Sequence, residues 1–514
     1  MRSVSGLQTN DATIKDRVDG AKSSGQANRI RRRRVHSPDR YSTQKNLEAI
    51  VACELFWTLC DGLEKARAAT GRPCATTAAA VTLVDLTAAL TGSIRSAVSY
   101  LHDHSTWQRL VVVAEQAWPE NSARRLPERP ASRSQHSRFR ARHITGTDTQ
   151  IDDFRDHSRV LSVEAATTIG LFNSAAGSFS SPSREQTIAG DATYVKALYN
   201  TGTAKLVDQQ TGEIWFRRVD KEATSVAGKD QTPGYYLVDA IAQGNEPGER
   251  IILDAALRPK KTGDGAVFCD LVDAVQAELS NFNSEAFAAT YDMALHAADQ
   301  DRLLNSGLIP VAKVRRNKNG ELAQLNLGPH RFKLASGTDE KLVVIVVDGT
   351  PHIEVASTTG LIPVALERLQ TKRRRRKDGT YNVFSRWQIP DRAEVPQSLA
   401  KAETRIANQS TREELSRSSP RPRTRTLRTI PSGDPAYREL FGTRESTESM
   451  HQHWKASLMN KRARTVGAAR LRHAFHCYQM AVNITTLLRH AERTSNFDMF
   501  GAWRPPEHRL RPAA

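Results

Sequence analysis

The stretch that most constrains the fold of this 514-residue chain runs from residue 250 to 316. An apolar run (RIILDAAL) is followed by a segment of helical period, FCDLVDAVQAELSNF, with Leu271, Val272, Val275 and Leu279 at core spacing. EAFAATYDMAL (285–295) then reads as a strand ending near Asp292, HAADQDRLLNSG as a helix closed by Gly307, and LIPVAKVRR as another strand. Strand–helix–strand units of this kind join parallel strands. Upstream, QTIAGDATYVKALYN (186–200), EIWFRRVD (213–220) and GYYLVDAIA (234–242) are strand-like runs separated by turn-rich residues, which favours antiparallel pairing. The expected class is therefore α/β in the mixed α+β sense, a mixed sheet flanked by helices.

The rest of the chain divides around this core. Residues 1–42 read as a disordered basic arm that ends near Arg31–Arg34, and 43–118 as an all-helical domain for DNA binding or dimerisation. Residues 119–154 read as a basic linker, and 155–316 as the first part of the α/β core. Residues 317–395 read as a β-rich insertion, with Asp348-Gly349 and Asp378-Gly379 as hairpin turns. Its run Lys372–Lys377 could grip DNA through Arg373 and Arg374, or blunt an edge strand. A basic irregular linker (396–435), the C-terminal helices of the core (436–494) and a peripheral tail (495–514) complete the chain.

Lys plus Arg exceed Asp plus Glu by 74 − 56 = 18, which favours a polyanionic partner, nucleic acid ahead of a membrane surface. No apolar run approaches the roughly eighteen residues of a spanning helix, and the N-terminus is polar. The five cysteines are scattered, without a C-x-x-C pair. They suit a reducing compartment, and a structural zinc site is not expected from them.

Cutting a phosphodiester in line requires charge stabilisation on two oxygens, which two divalent metals about 4 Å apart achieve when carboxylates clamp them. Asp191 and Asp292 lie in or at the end of expected strands, and Glu448 on an expected helix. Two aspartates and a glutamate suffice for Mg²⁺, which prefers hard oxygen ligands and keeps several waters. Asp254 and Glu445 compete with these positions, and His296 reads as a helix-start residue. Phe441, Arg444, Glu448 and Lys455 follow one another at steps of three, four and seven, nearly one side of a helix, with His451 one turn on.

These blocks together resemble a bacterial insertion-sequence transposase of the DDE type. GDATYVKALY (190–199) resembles the strand with the first aspartate, and TYDMALHAADQDRLLNSGLIPVAKV (290–314) the block with the second. Phe441-x2-Arg444-x3-Glu448-x6-Lys455 is similar to the Y-x2-R-x3-E-x6-K signature of one cut-and-paste group, with phenylalanine in place of tyrosine. The resemblance implies an RNase H-like catalytic core in which Asp191, Asp292 and Glu448 ligate two Mg²⁺ ions, or Mn²⁺. It implies strand cleavage followed by attack of a 3′-hydroxyl on another phosphodiester. Arg444 and Lys455 would meet the DNA backbone, with Lys461, Arg462 and Arg464 as further phosphate contacts. The partners implied are double-stranded DNA at the element ends and target, and a second copy in a homodimer. There would be no membrane partner, and the compartment would be the bacterial cytoplasm at the nucleoid. Two other readings stay open: a catalytically inactive DNA-binding derivative of a transposase, and a related metal-dependent nuclease without strand transfer.

Overall fold

A computed structural model describes residues 40–68, 76–198, 205–207, 210–216, 220–223, 225–227, 232–246, 248–316, 320–321, 324–357, 360–416, 422–458 and 462–505. The basic run Arg31–Arg34 and Lys461 lie outside the described residues.

Among the described residues seven helices come first: α1 (Arg40–Ala52), α2 (Glu54–Ala68), α3 (Ala78–Thr91), α4 (Ile94–Leu101), α5 (His104–Ala117), α6 (Arg133–His143) and α7 (Asp148–Thr168). Their starts follow from side-chain caps. Thr77 and Asp103 accept the backbone N–H of Ala80 and Thr106, and Ser132 with Gln135 and Thr147 with Gln150 form capping boxes. Residues 119–154 are thus not a linker. They carry α6 and the start of α7, and α6 buries Phe139 and His136 against the preceding helices. The helical segment is not a detachable domain either. Its apolar residues join one continuous core with Ile188, Val238, Ala240 and Leu253 of the sheet that follows.

That sheet is built from β1 (Thr187–Lys196), β4 (Ser225–Ala227), β5 (Thr232–Gln243), β6 (Arg250–Leu257), β7 (Ala288–Thr290) and β8 (Ile309–Val311). A separate hairpin pairs β2 (Lys205–Val207) with β3 (Ile214–Phe216). The strand order is β6–β5–β1–β7–β8, with β4 on the β6 side of β5. β5 runs antiparallel to β1 and β6, while β7 lies parallel to β1 and to β8. The parallel steps carry the crossovers α8 (Asp264–Asn281) and α9 (Ala297–Asn305), as the strand–helix alternation requires. The molecule is thus of mixed α/β class.

An antiparallel seven-stranded sheet forms the insertion, ordered β12–β11–β10–β9–β15–β14–β13. Its strands are β9 (Gln324–Lys333), β10 (Asp339–Val347), β11 (Thr350–Ser357), β12 (Gly360–Ala365), β13 (Glu367–Arg375), β14 (Tyr381–Gln388) and β15 (Glu403–Ala407). Asp348 and Gly349 both take positive φ, +47° and +87°, the conformation a two-residue primed turn between β10 and β11 requires. The stretch 396–435 is not wholly irregular, because β15 inserts between β9 and β14 and α10 (Arg412–Ser416) follows.

α11 (Pro435–Gly442), α12 (Arg444–Ser457) and α13 (Ala468–Thr494) return the chain to the first sheet. α13 covers the edge of β6, where Asn483 exchanges hydrogen bonds with the Ile252 backbone and Gln479 donates to Ile252 and Leu253 carbonyls. The described residues after 494 are not peripheral, since Phe500 and Trp503 are buried in the main core. Among the described residues no single helix is long and apolar enough to cross a membrane.

Candidate active site

β1 brings the first acid to the middle of the sheet. Its Gly190 faces α8, where an added Cβ would meet the Phe268 ring at 2.2 Å and the Asp239 carbonyl at 2.8 Å. Only glycine lets the helix approach this closely. The pleat then turns Asp191 to the opposite face, shared with Ala189 and Val195 and covered by Met450 and Trp454 of α12.

Asp191 pairs in register with Asp239 of β5, a wholly buried acid in the apolar run LVDAIA. Two carboxylates so close need cations, and α12 supplies both. Arg444 Nη2 lies 3.6 Å from Asp191 and 2.9 Å from Glu448 Oε1. His451 Nε2 donates to Asp239 Oδ2 at 2.6 Å, and its Nδ1 lies 3.8 Å from Asp191 Oδ2. Burial pushes the Asp191 carboxyl above its ordinary range against the pull of Arg444 and His451, and Asp239 adds to the upward push. Asp239 Oδ1 has no hydrogen-bond partner among the described residues.

Asp292 sits two residues past β7, half-buried, with Oδ1 accepting the N–H of Ala294 at 2.7 Å. The neighbouring Tyr291 ring is fully buried and stacks on Phe268 at 4.6 Å. Burial drives its hydroxyl far above the ordinary range, helped by the charges of Asp264, Asp191, Asp292 and Asp239. The residue next after Asp292, Met293, lines a cleft with Lys313, Arg316, Asp348 and Tyr437.

Of the expected residues, Asp191 and Glu448 are joined through Arg444, and Asp292 follows β7, the strand parallel to β1. Their carboxylates do not close as a trio: the one group of three ligand atoms within 4.8 Å of each other among the described residues lies elsewhere. Asp254 is not a rival for this site. It is wholly buried on the opposite face and takes a two-pronged bond from Arg155 at 2.9 and 2.8 Å, with Arg159 at 3.5 Å. Glu445 is exposed on α12, and His296 is the N-cap residue of α9.

The expected face from Phe441 to Lys455 is not one helix, because the chain breaks at Thr443, whose hydroxyl bonds the Leu440 carbonyl at 2.6 Å. Arg444, Glu448, His451 and Lys455 keep one face of α12. Phe441 ends α11, stacked on Tyr437 at 5.2 Å with the Lys313 ammonium 5.2 Å from its ring.

The basic residues differ from one another. Arg373 is held by Glu285 at 2.6 Å and the Gly307 carbonyl at 2.8 Å, over the Phe179 and Tyr381 rings. It clamps the insertion to the core rather than facing solvent, whereas Arg374 is exposed on β13, an edge strand. Arg462 donates to the Ala197 carbonyl at 3.0 Å. Burial holds the Arg464 guanidinium down to about 10, and its Nη1 reaches the Ala88 carbonyl at 3.3 Å.

Neither Asp239 nor its bond to His451 is marked by a motif in the sequence. The available signal was an acid within an apolar strand, the same signal that drew attention to Asp254. Comparison with protein-family models and with curated proteins gives no significant match.

Proposed function

We propose that this protein is a metal-dependent DNA transposase of the DDE type, built on an RNase H-like core. The observation that carries this reading is the sheet order β6–β5–β1–β7–β8 with its acids: Asp191 on central β1, Asp292 past the parallel neighbour β7, and Glu448 on the helix laid over β1. Strand ends and one packed helix are rigid supports of the kind a catalytic constellation needs.

The donor set fits hard divalent ions. Asp191, Asp292 and Glu448 offer only oxygens, and the cluster is short of positive charge, with Asp191 raised by burial and one Asp239 oxygen unbonded. Bound Mg²⁺ or Mn²⁺ would neutralise the attacked phosphate and lower the pKa of a bound water. The chain's own residues do the rest. Arg444, now spanning Asp191 and Glu448, is placed to turn its planar fork to a phosphate. Lys455, about two turns beyond Glu448 on the same face, offers a point charge. His451 holds Asp239 and buttresses Asp191 from behind. The protein would work on double-stranded DNA in the bacterial cytoplasm, with two copies bridging two element ends.

One observation favours a second reading, a DNA-binding derivative that no longer cuts. Arg444 already neutralises two of the three acids, and the trio is not closed. Cleavage of DNA carrying the element's terminal sequences, in Mg²⁺, separates the two. The transposase reading expects cleavage by the wild type and none by Asp292→Ala. Equal cleavage by both removes Asp292 from the reaction, and DNA binding without cleavage by the wild type favours the second reading.

A further inference from the structure

The three ligand atoms that do lie within 4.8 Å of one another belong to Asp85, His473 and Cys477, none of them among the acids described above. Asp85 comes from α3, and His473 and Cys477 from α13, where a spacing of four residues puts them on one helical face. All are buried, with residue exposures of 6% for Asp85, 1% for His473 and 2% for Cys477.

As a plain hydrogen-bond network this cluster is incomplete. His136 of α6 bonds Asp85 Oδ1 at 2.8 Å, but Asp85 Oδ2, the oxygen nearer His473 Nε2, has no hydrogen-bond partner among the described residues. His473 Nε2 lies 3.7 Å from Asp85 Oδ2, beyond hydrogen-bond reach, and 3.4 Å from Cys477 Sγ. Unsatisfied polar atoms at this depth are costly. The same spacings suit another purpose. A tetrahedral zinc ion with bonds of about 2.0–2.3 Å separates its ligands by roughly 3.3–3.6 Å.

We infer that Asp85 Oδ2, His473 Nε2 and Cys477 Sγ form a structural transition-metal site of the zinc type. On binding, Cys477 releases its thiol proton to solvent and forms a sulfur–metal bond. Carboxylate and thiolate together balance the charge of Zn²⁺, which leaves a neutral site in an apolar interior. His136 fixes Asp85 through its other oxygen, the role carboxylate–histidine partners take behind metal ligands. The site ties α3 and, through His136, α6 to α13, so it fastens the N-terminal helices to the helix that covers the sheet edge. It carries no C-x-x-C signature, which is why cysteine spacing alone argued against zinc.

The test uses the full chain, stripped with chelator and reloaded with Zn²⁺ or Co²⁺. The site predicts about one tightly held equivalent per chain and, with Co²⁺, thiolate-to-metal charge-transfer absorption. Cys477→Ala and His473→Ala lose both, while Asp191→Asn and Asp292→Asn, which alter only the acid cluster, keep both. A wild type that retains no Zn²⁺, or binds Co²⁺ without the thiolate band, overturns the inference whether or not the variants fold. So does a Cys477→Ala protein that keeps the metal and the band. Mg²⁺-dependent DNA cleavage is read separately and can fail or succeed independently of this result.

Discussion

Asp239 and Asp254 lie on adjacent strands, one register step apart, and both are wholly inaccessible to solvent. The sheet sends them to opposite faces. Asp254 meets α7, where Arg155 grips both oxygens and Arg159 stands near. Asp239 meets α12, where one oxygen bonds His451, the other has no hydrogen-bond partner among the described residues, and Asp191 lies across the ladder. A buried acid with a matched arginine fork is a finished structural joint. A buried acid with half its bonding unmet, next to a second acid, is an arrangement that stability alone would not select. Burial therefore does not tell structure from function here; what separates the two is whether the bonding is complete.

Replacing each acid sharpens that contrast. Asp254→Ala strands Arg155 in the interior and should cost about 3–5 kcal/mol, read by chemical denaturation, with cleavage per folded molecule nearly unchanged. Asp239→Asn keeps the shape and should leave stability close to wild type while DNA cleavage falls roughly 10- to 100-fold, the scale for residues that position a site. If the two outcomes were reversed, the assignment of faces would be wrong. Gly190→Ala drives a methyl group into Phe268 and should cost about 1–3 kcal/mol, together with cleavage, because Asp191 is the next residue.

A smaller effect concerns pH. Burial raises the Asp191 pKa, so ionising this carboxyl opposes folding. Its contribution is favourable below the ordinary carboxylate range and is lost as pH rises through the elevated folded value. Asp191→Asn should therefore raise the melting temperature at neutral pH, and the gain should vanish in acid. A lower melting temperature at neutral pH would mean that its pairing with Arg444 outweighs the burial cost. Phe441→Tyr should do least. The ring packs on Tyr437 in the last turn of α11, across the Thr443 break from the helix that carries Arg444 and Glu448, so stability should stay within about 0.5 kcal/mol and cleavage within a few-fold.

What could be read from sequence depended on how far apart the partners lie. The mixed sheet followed from strand–helix alternation, and the β10–β11 hairpin from Asp348-Gly349, because each signal sits within a few residues. Helix α6 was hidden by its composition: RSQHSRFRARH has no apolar stripe, and only the Ser132–Gln135 capping box marks its start. β15 was hidden because its pairing with β9 and β14 depends on chain remote from the linker-like residues around it. The acids on β1, past β7 and on α12 were visible one by one. Arg444 and His451 were visible beside Glu448, but Asp239 and its bond to His451 were not, since the two lie 212 residues apart. The break at Thr443 also escaped, because helical spacing across it continues undisturbed.

The central claim, that Asp191, Asp292 and Glu448 act together through bound metal, is tested most directly by changing the ligand chemistry. A thiolate is a poor ligand for Mg²⁺ and a better one for softer ions such as Mn²⁺. Asp292→Cys should cut DNA neither detectably in Mg²⁺ nor at wild-type rate, yet recover cleavage when Mn²⁺ replaces Mg²⁺. Cleavage in Mg²⁺ equal to wild type would contradict the assignment, and so would a loss that is the same in both metals.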